Sequence, residues 1–211
     1  MSIRCLAVLL VVIAGTAAAD TLTPVGKVAS PGGVLEVTVT LNDEGRPGYA
    51  VTRRGRPVIE ESRLGFLLTD GLRLERNCKA AGTSTRSADE TWEQPWGERR
   101  FVRNRFNELR ATFTERAGPA RSLDVVFRVY DEGLGFRYEF PDQPSLKDVN
   151  ILEELTEFAV VDPATAWWIP GGEWNRYEYL YRKTKLGEIP QVHTPITLRT
   201  EQLYGDRKSV V

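Results

Sequence analysis

Apolar side chains at every second position, with glycine- and proline-bearing turns between the runs, restrict this chain more than any other feature of its sequence. Leu123, Val125, Phe127 and Val129 mark one face of a strand. The turn Asp131-Glu132-Gly133-Leu134-Gly135 follows, and Phe136, Tyr138 and Phe140 line one face of the next strand before Pro141 ends it. Alternation of this kind sets one face against a core and the other against water. The two glycines are expected to supply positive φ where the chain reverses. Leu109, Ala111 and Phe113 predict a strand just before this pair, joined to it through Ala117-Gly118-Pro119.

The same period recurs earlier. Residues 34–41 alternate, with Leu35, Val37, Val39 and Leu41 opposite Glu36, Thr38 and Thr40. Residues 42–48 read as a turn, residues 49–52 as the returning strand, and Arg54-Gly55-Arg56-Pro57 as a second turn before Val58 and Ile59. Residues 64–69 are continuously apolar, whereas between Leu72 and Arg86 the pattern fades to a weak strand signal. Residues 149–158 fit a helix or a strand, and Thr156 with Phe158 favours the strand. Many short strands between Gly/Pro turns predict an all-β chain, a large β-sandwich.

Composition narrows the function classes. Lys plus Arg number 28 and Asp plus Glu 29, a net charge of -1. That balance points to no nucleic-acid partner and no acidic membrane surface. Arg4, the apolar run 5–15 and Ala17-Ala18-Ala19 have the form of a bacterial signal peptide over residues 1–19, so the chain is expected to mature at Asp20 and act in the periplasm. About 190 residues then remain, enough for a sizeable core. Cys78 is the one cysteine left, so no intrachain disulfide is expected, and His193 is the one histidine. Those two residues do not make a zinc site, and catalysis by a histidine-activated nucleophile would have to use His193.

Two stretches are unlike scaffold. Around residues 92–109, from Asp89 to Arg110, the arginines are matched by acids: Arg99, Arg100, Arg103, Arg105 and Arg110 against Asp89, Glu90, Glu93, Glu98 and Glu108. A solvated, salt-bridged hairpin face accounts for that balance better than an anion site does. Residues 166–198 gather Trp167, Trp168, Trp174, Tyr177, Tyr179 and Tyr181 among Glu173, Arg176, Glu178, Arg182, Lys183 and Lys185. Rings with polar handles beside carboxylates suit a surface that stacks on sugar faces and hydrogen-bonds hydroxyls. They equally suit a long ordered loop whose rings pack beneath it.

In order along the chain, WEQPWGERRFVRNRFNEL, VVFRVYDEGLGFRYEF, ILEELTEF, AWWIPGG, YEYLYRKTKLGEI and HTPITL resemble the N-terminal domain of glycoside hydrolase family 97. The resemblance covers the mature chain from about Val25 to about Thr200. It implies a β-sandwich of the galactose-mutarotase-like, super-sandwich type over residues 20–205, followed in the family by a catalytic (β/α)8 barrel and a small β-domain. It also implies exo-acting α-glycosidase activity, inverting α-glucosidase or retaining α-galactosidase, with calcium at the active site of the full-length enzyme. The family's acid, base or nucleophile lie in the barrel, and its calcium-binding glutamate lies in a His-Glu-Ala-Ala-Leu type motif after HTPITL. No residue of this chain matches them, so no catalytic or metal residue is assigned, no cofactor is expected for this chain by itself, and alone it is expected to be inactive.

Residues 206–211, DRKSVV, match what a common short-read sequencing adapter encodes, so a non-native tail and a gene continuing past about Gly205 are expected. The leading functional expectation is a sandwich that packs on its own catalytic barrel, shapes the rim of the active site and meets an α-linked oligosaccharide. Trp167, Trp168, Trp174, Glu178, Tyr179 and His193 are the candidate contacts to sugar or barrel. The alternative is a stand-alone carbohydrate-binding sandwich without catalysis. Sugar epimerisation ranks last, because it leans on several histidines with a carboxylate and only His193 is present. His193, beside Thr194-Pro195, is read first as structural.

Overall fold

The computed structural model describes residues 21–161, 163–173, 175–201 and 203–207. Alternating residues build two antiparallel four-stranded meanders. The first runs β1 (Thr23–Ala29), β2 (Leu35–Leu41), β3 (Pro47–Arg53) and β4 (Arg56–Arg63). β5 (Phe66–Leu68) leads out of it, and the second meander runs β6 (Cys78–Glu93), β7 (Phe101–Glu115), β8 (Ser122–Val129) and β9 (Leu134–Glu139). β10 (Ile151–Glu154) pairs with β5. The remaining strands, β11 (Thr165–Trp168), β12 (Arg182–Lys185), β13 (Ile196–Arg199) and β14 (Tyr204–Arg207), form a separate sheet in the order β12-β11-β13-β14. Among the described residues the one helical element is a 3-10 turn at Leu186–Glu188.

The core lies between the two meanders. Val37, Val39, Tyr49 and Val51 from the first meet Leu109, Ala111, Phe113, Val125, Phe127 and Val129 from the second, all buried. Burial of each large side chain of this kind contributes about 1.5–3 kcal/mol. Register keeps the faces aligned: Val39 stands opposite Tyr49, Leu109 opposite Phe127, and Phe127 opposite Phe136. The Tyr49 ring centroid lies 5.4 Å from Phe127 and 5.7 Å from Phe136. Its hydroxyl donates to the Glu157 carbonyl at 2.8 Å, which satisfies the one polar group the ring carries inward.

Three local expectations change. Gly133 and Gly135 do not adopt positive φ. Their turn closes through the Tyr130 N–H on the Gly133 carbonyl at 2.8 Å, and the Asp131 carboxylate accepts the Gly32 N–H at 2.7 Å. Positive φ is needed instead at Gly45, where an added Cβ would stand 2.5 Å from the Cys78 carbonyl oxygen. The weak signal between Leu72 and Arg86 resolves into a strand of 16 residues, β6, that begins at Cys78. Its small and polar side chains are exposed on both faces, so no alternation could mark it. The apolar run 64–69 keeps only Phe66–Leu68 as strand.

Residues 1–20, including the expected signal segment, and residues 208–211 of the expected tail lie outside the described residues. Asp206 and Arg207 continue β14, opposite Thr197 and Ile196.

Candidate functional site

The aromatic segment does not form one platform. β11 alternates like any strand, so its neighbouring tryptophans face opposite sides. Trp168 is 2% exposed and packs with Ala166 and Ile196. Its indole N–H donates to the Thr184 hydroxyl at 3.0 Å. That burial takes the Trp168 ring out of the candidate contact surface: it fills the core of the small sheet, with Ile189, Val192 and Leu198 packed around the cluster. Trp167 points the other way and is half-buried. Lys183 Nζ lies 5.3 Å and the Arg199 guanidinium 5.8 Å from its ring centroid. β12 and β13 flank β11, and their registers set Lys183 and Thr197 opposite Trp167, with Lys185 and Arg199 opposite Thr165.

His193 and Tyr179 sit apart from this face. The His193 backbone N–H donates to the Ile169 carbonyl at 3.2 Å, and its ring lies 5.3 Å from Tyr177. Nε2 of His193 is buried with no hydrogen-bond partner among the described residues. The Tyr177 hydroxyl donates to the Thr194 carbonyl at 2.6 Å and holds the loop over this corner. Tyr179 is half-buried beneath the Arg176 guanidinium, 4.7 Å from its ring centroid. Glu178 is exposed, and Trp174 lies outside the described residues.

Among the described residues of the aromatic segment, the large apolar side chains left most exposed are not among the candidates. Tyr177, Leu180 and Tyr181 are 49%, 90% and 65% exposed. Ile151 and Leu152 on β10 are also exposed. Large apolar side chains left open in this way are groups that a covering body or a ligand would touch. Two shallow grooves elsewhere, of about 380 and 440 Å³, contain no aromatic ring among their lining residues. In the first, desolvation raises the Glu61 carboxyl above its ordinary value, partly offset by the Thr40 hydroxyl that donates to it.

The charge-balanced stretch is a hairpin. Arg103 pairs with Asp89 at 2.6 Å and Arg100 with Glu93 at 2.7 Å, so these acids and bases satisfy one another across the hairpin. Further along, Glu108 accepts from both Arg86 and Arg128. Hydrogen bonds from Arg86 above all, then from Arg128, and their charges push the Glu108 carboxyl down to about 2 against the cost of desolvation. Among the described residues no group of three or more His, Cys, Asp or Glu side chains is placed to hold a metal. No helix there is long and apolar enough to cross a membrane.

An antiparallel sandwich of two meanders, with an aromatic segment on a separate small sheet, defines an all-β sandwich domain. The chain belongs to the glycosyl-hydrolase 97 N-terminal family, whose model matches residues 28–205. It is 27% identical over 171 residues to a retaining alpha-galactosidase of Bacteroides thetaiotaomicron, a match that covers 76% of this chain and 24% of that protein. It is 38% identical to a glycoside hydrolase family 97 enzyme from Pseudoalteromonas sp. strain K8 solved in complex with acarbose, with a TM-score of 0.79 over 83% of this chain and 27% of that one. A beta-arabinopyranosidase structure matches at 26% identity and a TM-score of 0.69, over 82% of this chain and 29% of that one. The chain therefore spans about a quarter of the length of these relatives.

Proposed function

We propose that this chain is the amino-terminal sandwich of an exported, exo-acting α-glycosidase, and that it packs on a catalytic barrel and helps shape the rim of that active site. One observation carries the reading: the family match runs through residues 28–205, and the solved relative with the same fold is a chain of which this one covers 27%. The exposed Tyr177, Leu180 and Tyr181 supply an apolar patch for the barrel to cover. Tyr179 beneath Arg176 and His193 beneath Tyr177 hold the loop that carries that patch. Trp167, Glu178 and Tyr179 remain contacts to sugar or barrel in this reading.

Glycoside hydrolysis takes one carboxylic acid to protonate the leaving oxygen and a second carboxylate to activate water or attack the sugar. The resemblance puts that pair, and a calcium ion, in the barrel. Among the described residues no group of three or more His, Cys, Asp or Glu side chains gathers to hold an ion, and no step is assigned to calcium here. Residues 1–19 carry the export signal, which makes the periplasm the proposed compartment. Identity is higher to the Pseudoalteromonas enzyme, 38%, than to the Bacteroides galactosidase, 27%. A structure of that enzyme, as a variant, was solved with panose, which makes panose the first oligosaccharide to test.

The test compares the purified chain with the longer product translated from the same locus, on panose and on 4-nitrophenyl α-glucoside and α-galactoside. The expected result is turnover by the longer product and none by this chain. Turnover by the pure chain would overturn the proposal. Saturable panose binding by a chain whose locus encodes nothing further would favour the stand-alone carbohydrate-binding module instead.

A further inference from the structure

The longest strand of the molecule has an open edge. β6 runs for 16 residues and, among the described residues, β7 is the one strand hydrogen-bonded to it. One row of its backbone N–H and C=O groups therefore faces outward. Edges of this length template the addition of another strand and are ordinarily shortened, bulged or covered. The register shift of β6 lies between Ala80 and Gly82, and from Gly82 to Glu93 its ladder with β7 is regular. Gly82, Thr83, Ser84, Thr85, Ser87 and Ala88 are small enough for a close neighbour. Charge along this stretch is polarised, with Arg86 towards its start and Asp89, Glu90 and Glu93 towards its end.

We propose that the free edge of β6 pairs antiparallel with β6 of a second copy of this chain, centred on Ala88, so that two four-stranded sheets join into one. A two-fold axis perpendicular to a sheet keeps every side chain on its own face. Directly opposed residues must then have the same parity, and one residue lies on the axis. Centring on Arg86 would set arginine against arginine. Centring on Ala88 sets Arg86 opposite the partner's Glu90, twice by symmetry, with Thr85 opposite Thr91 and Ser84 opposite Trp92.

The local geometry suits that register. Arg86 engages Glu108 through Nε and Nη2, which leaves Nη1 for the partner. Asn104 Nδ2 donates to Glu90 Oε1 at 2.7 Å and holds that carboxylate on the same face. Trp92, 47% exposed in the single chain, gains cover against a small residue. Opposed charges favour the pairing and like charges oppose it, so the sequence selects among registers as well as permitting contact.

Sedimentation of the purified chain over a range of concentrations tests the proposal, together with Glu90→Arg and Ala88→Cys. The expected result is a concentration-dependent dimer, weakened about tenfold or more by Glu90→Arg because two attractive pairs become repulsive. Ala88→Cys is expected to cross-link between chains under mild oxidation, since opposed Cα atoms in an antiparallel pair lie about 4.5–5.5 Å apart. Thr83→Cys, opposite Glu93, is expected to stay monomeric on denaturing gels. The native Cys78 is buried, chiefly with its thiol raised to about 11 by desolvation, and does not compete. Thermal melts matching the parent chain establish that the variants fold. A monomer at every concentration would overturn the proposal, as would a dimer indifferent to both substitutions. So would a longer product of the locus that stays monomeric, which would assign the edge to its own polypeptide.

Discussion

The two meanders and the aromatic segment are built from similar residues and held together differently. Between the meanders, Tyr49, Phe127, Phe136 and Phe158 pack ring against ring, with Tyr49 5.4 Å from Phe127 and Phe127 5.1 Å from Phe136. Among the described residues, the β11 to β14 sheet has a core of the buried Ala166, Trp168 and Ile196. Its other rings are covered by cations or left open: Lys183 and Arg199 over Trp167, Arg176 over Tyr179, and Tyr181 65% exposed. Aromatic density in a sequence is therefore a poor guide to where a core lies. Phe127, with Val125 and Val129 on its own face of the strand, fills the sandwich, whereas Trp167, beneath Lys183 and Arg199, lines a surface.

The largest test of this contrast is Phe127→Ala. Phe127 is 0% exposed at the centre of the ring cluster, and its loss leaves a cavity between two sheets that cannot close around it. The expected cost is about 3–5 kcal/mol, read from the midpoint of urea unfolding. A cost below about 1 kcal/mol would mean that the two meanders do not share one cooperative core.

β2, β8 and β9 were legible in the sequence because apolar residues recur at every second position along them. Val37 and Val39, and Val125 and Phe127, stand at the spacing that burial demands. β6 was not legible, since neither of its faces is buried. Nor was the fate of Trp167 and Trp168, because adjacent residues on a strand point apart and the sequence alone does not say which side meets the core. The candidate contacts split accordingly: Trp168 went to the small core, Tyr179 and His193 to the loop that caps it, and Glu178 to solvent. The family resemblance rested on ordered motifs and so survived these local reassignments.

A smaller effect separates charge from packing within the second meander. Glu108 accepts from Arg86 and Arg128, and its carboxyl falls from an ordinary 4.5 to about 2. The group is ionised more readily in the folded chain than in the unfolded one. Its contribution is therefore fully present above pH 4.5 and is lost as pH falls towards about 2. Glu108→Gln is expected to cost about 1–2 kcal/mol at neutral pH, because both arginines are exposed enough to be solvated again. The same substitution is expected to flatten acid unfolding between pH 4.5 and about 2. An unchanged acid profile would show that the pairing contributes nothing to stability.

The smallest expected effect belongs to the aromatic segment. Lys183 lies on β12, an edge strand, and its ammonium stands 5.3 Å from the Trp167 ring centroid. An exposed cation over a tryptophan face contributes about 0.5–1 kcal/mol, and the ladder between β11 and β12 does not need the lysine head. Lys183→Ala is therefore expected to lower stability by no more than that and to open one face of Trp167. Acrylamide quenching of tryptophan fluorescence should rise while the unfolding midpoint barely moves. If the substitution instead cost as much as Phe127→Ala, Trp167 and Lys183 would belong to the main core. The surface reading of the segment, and with it the place proposed for sugar or barrel contact, would then fail.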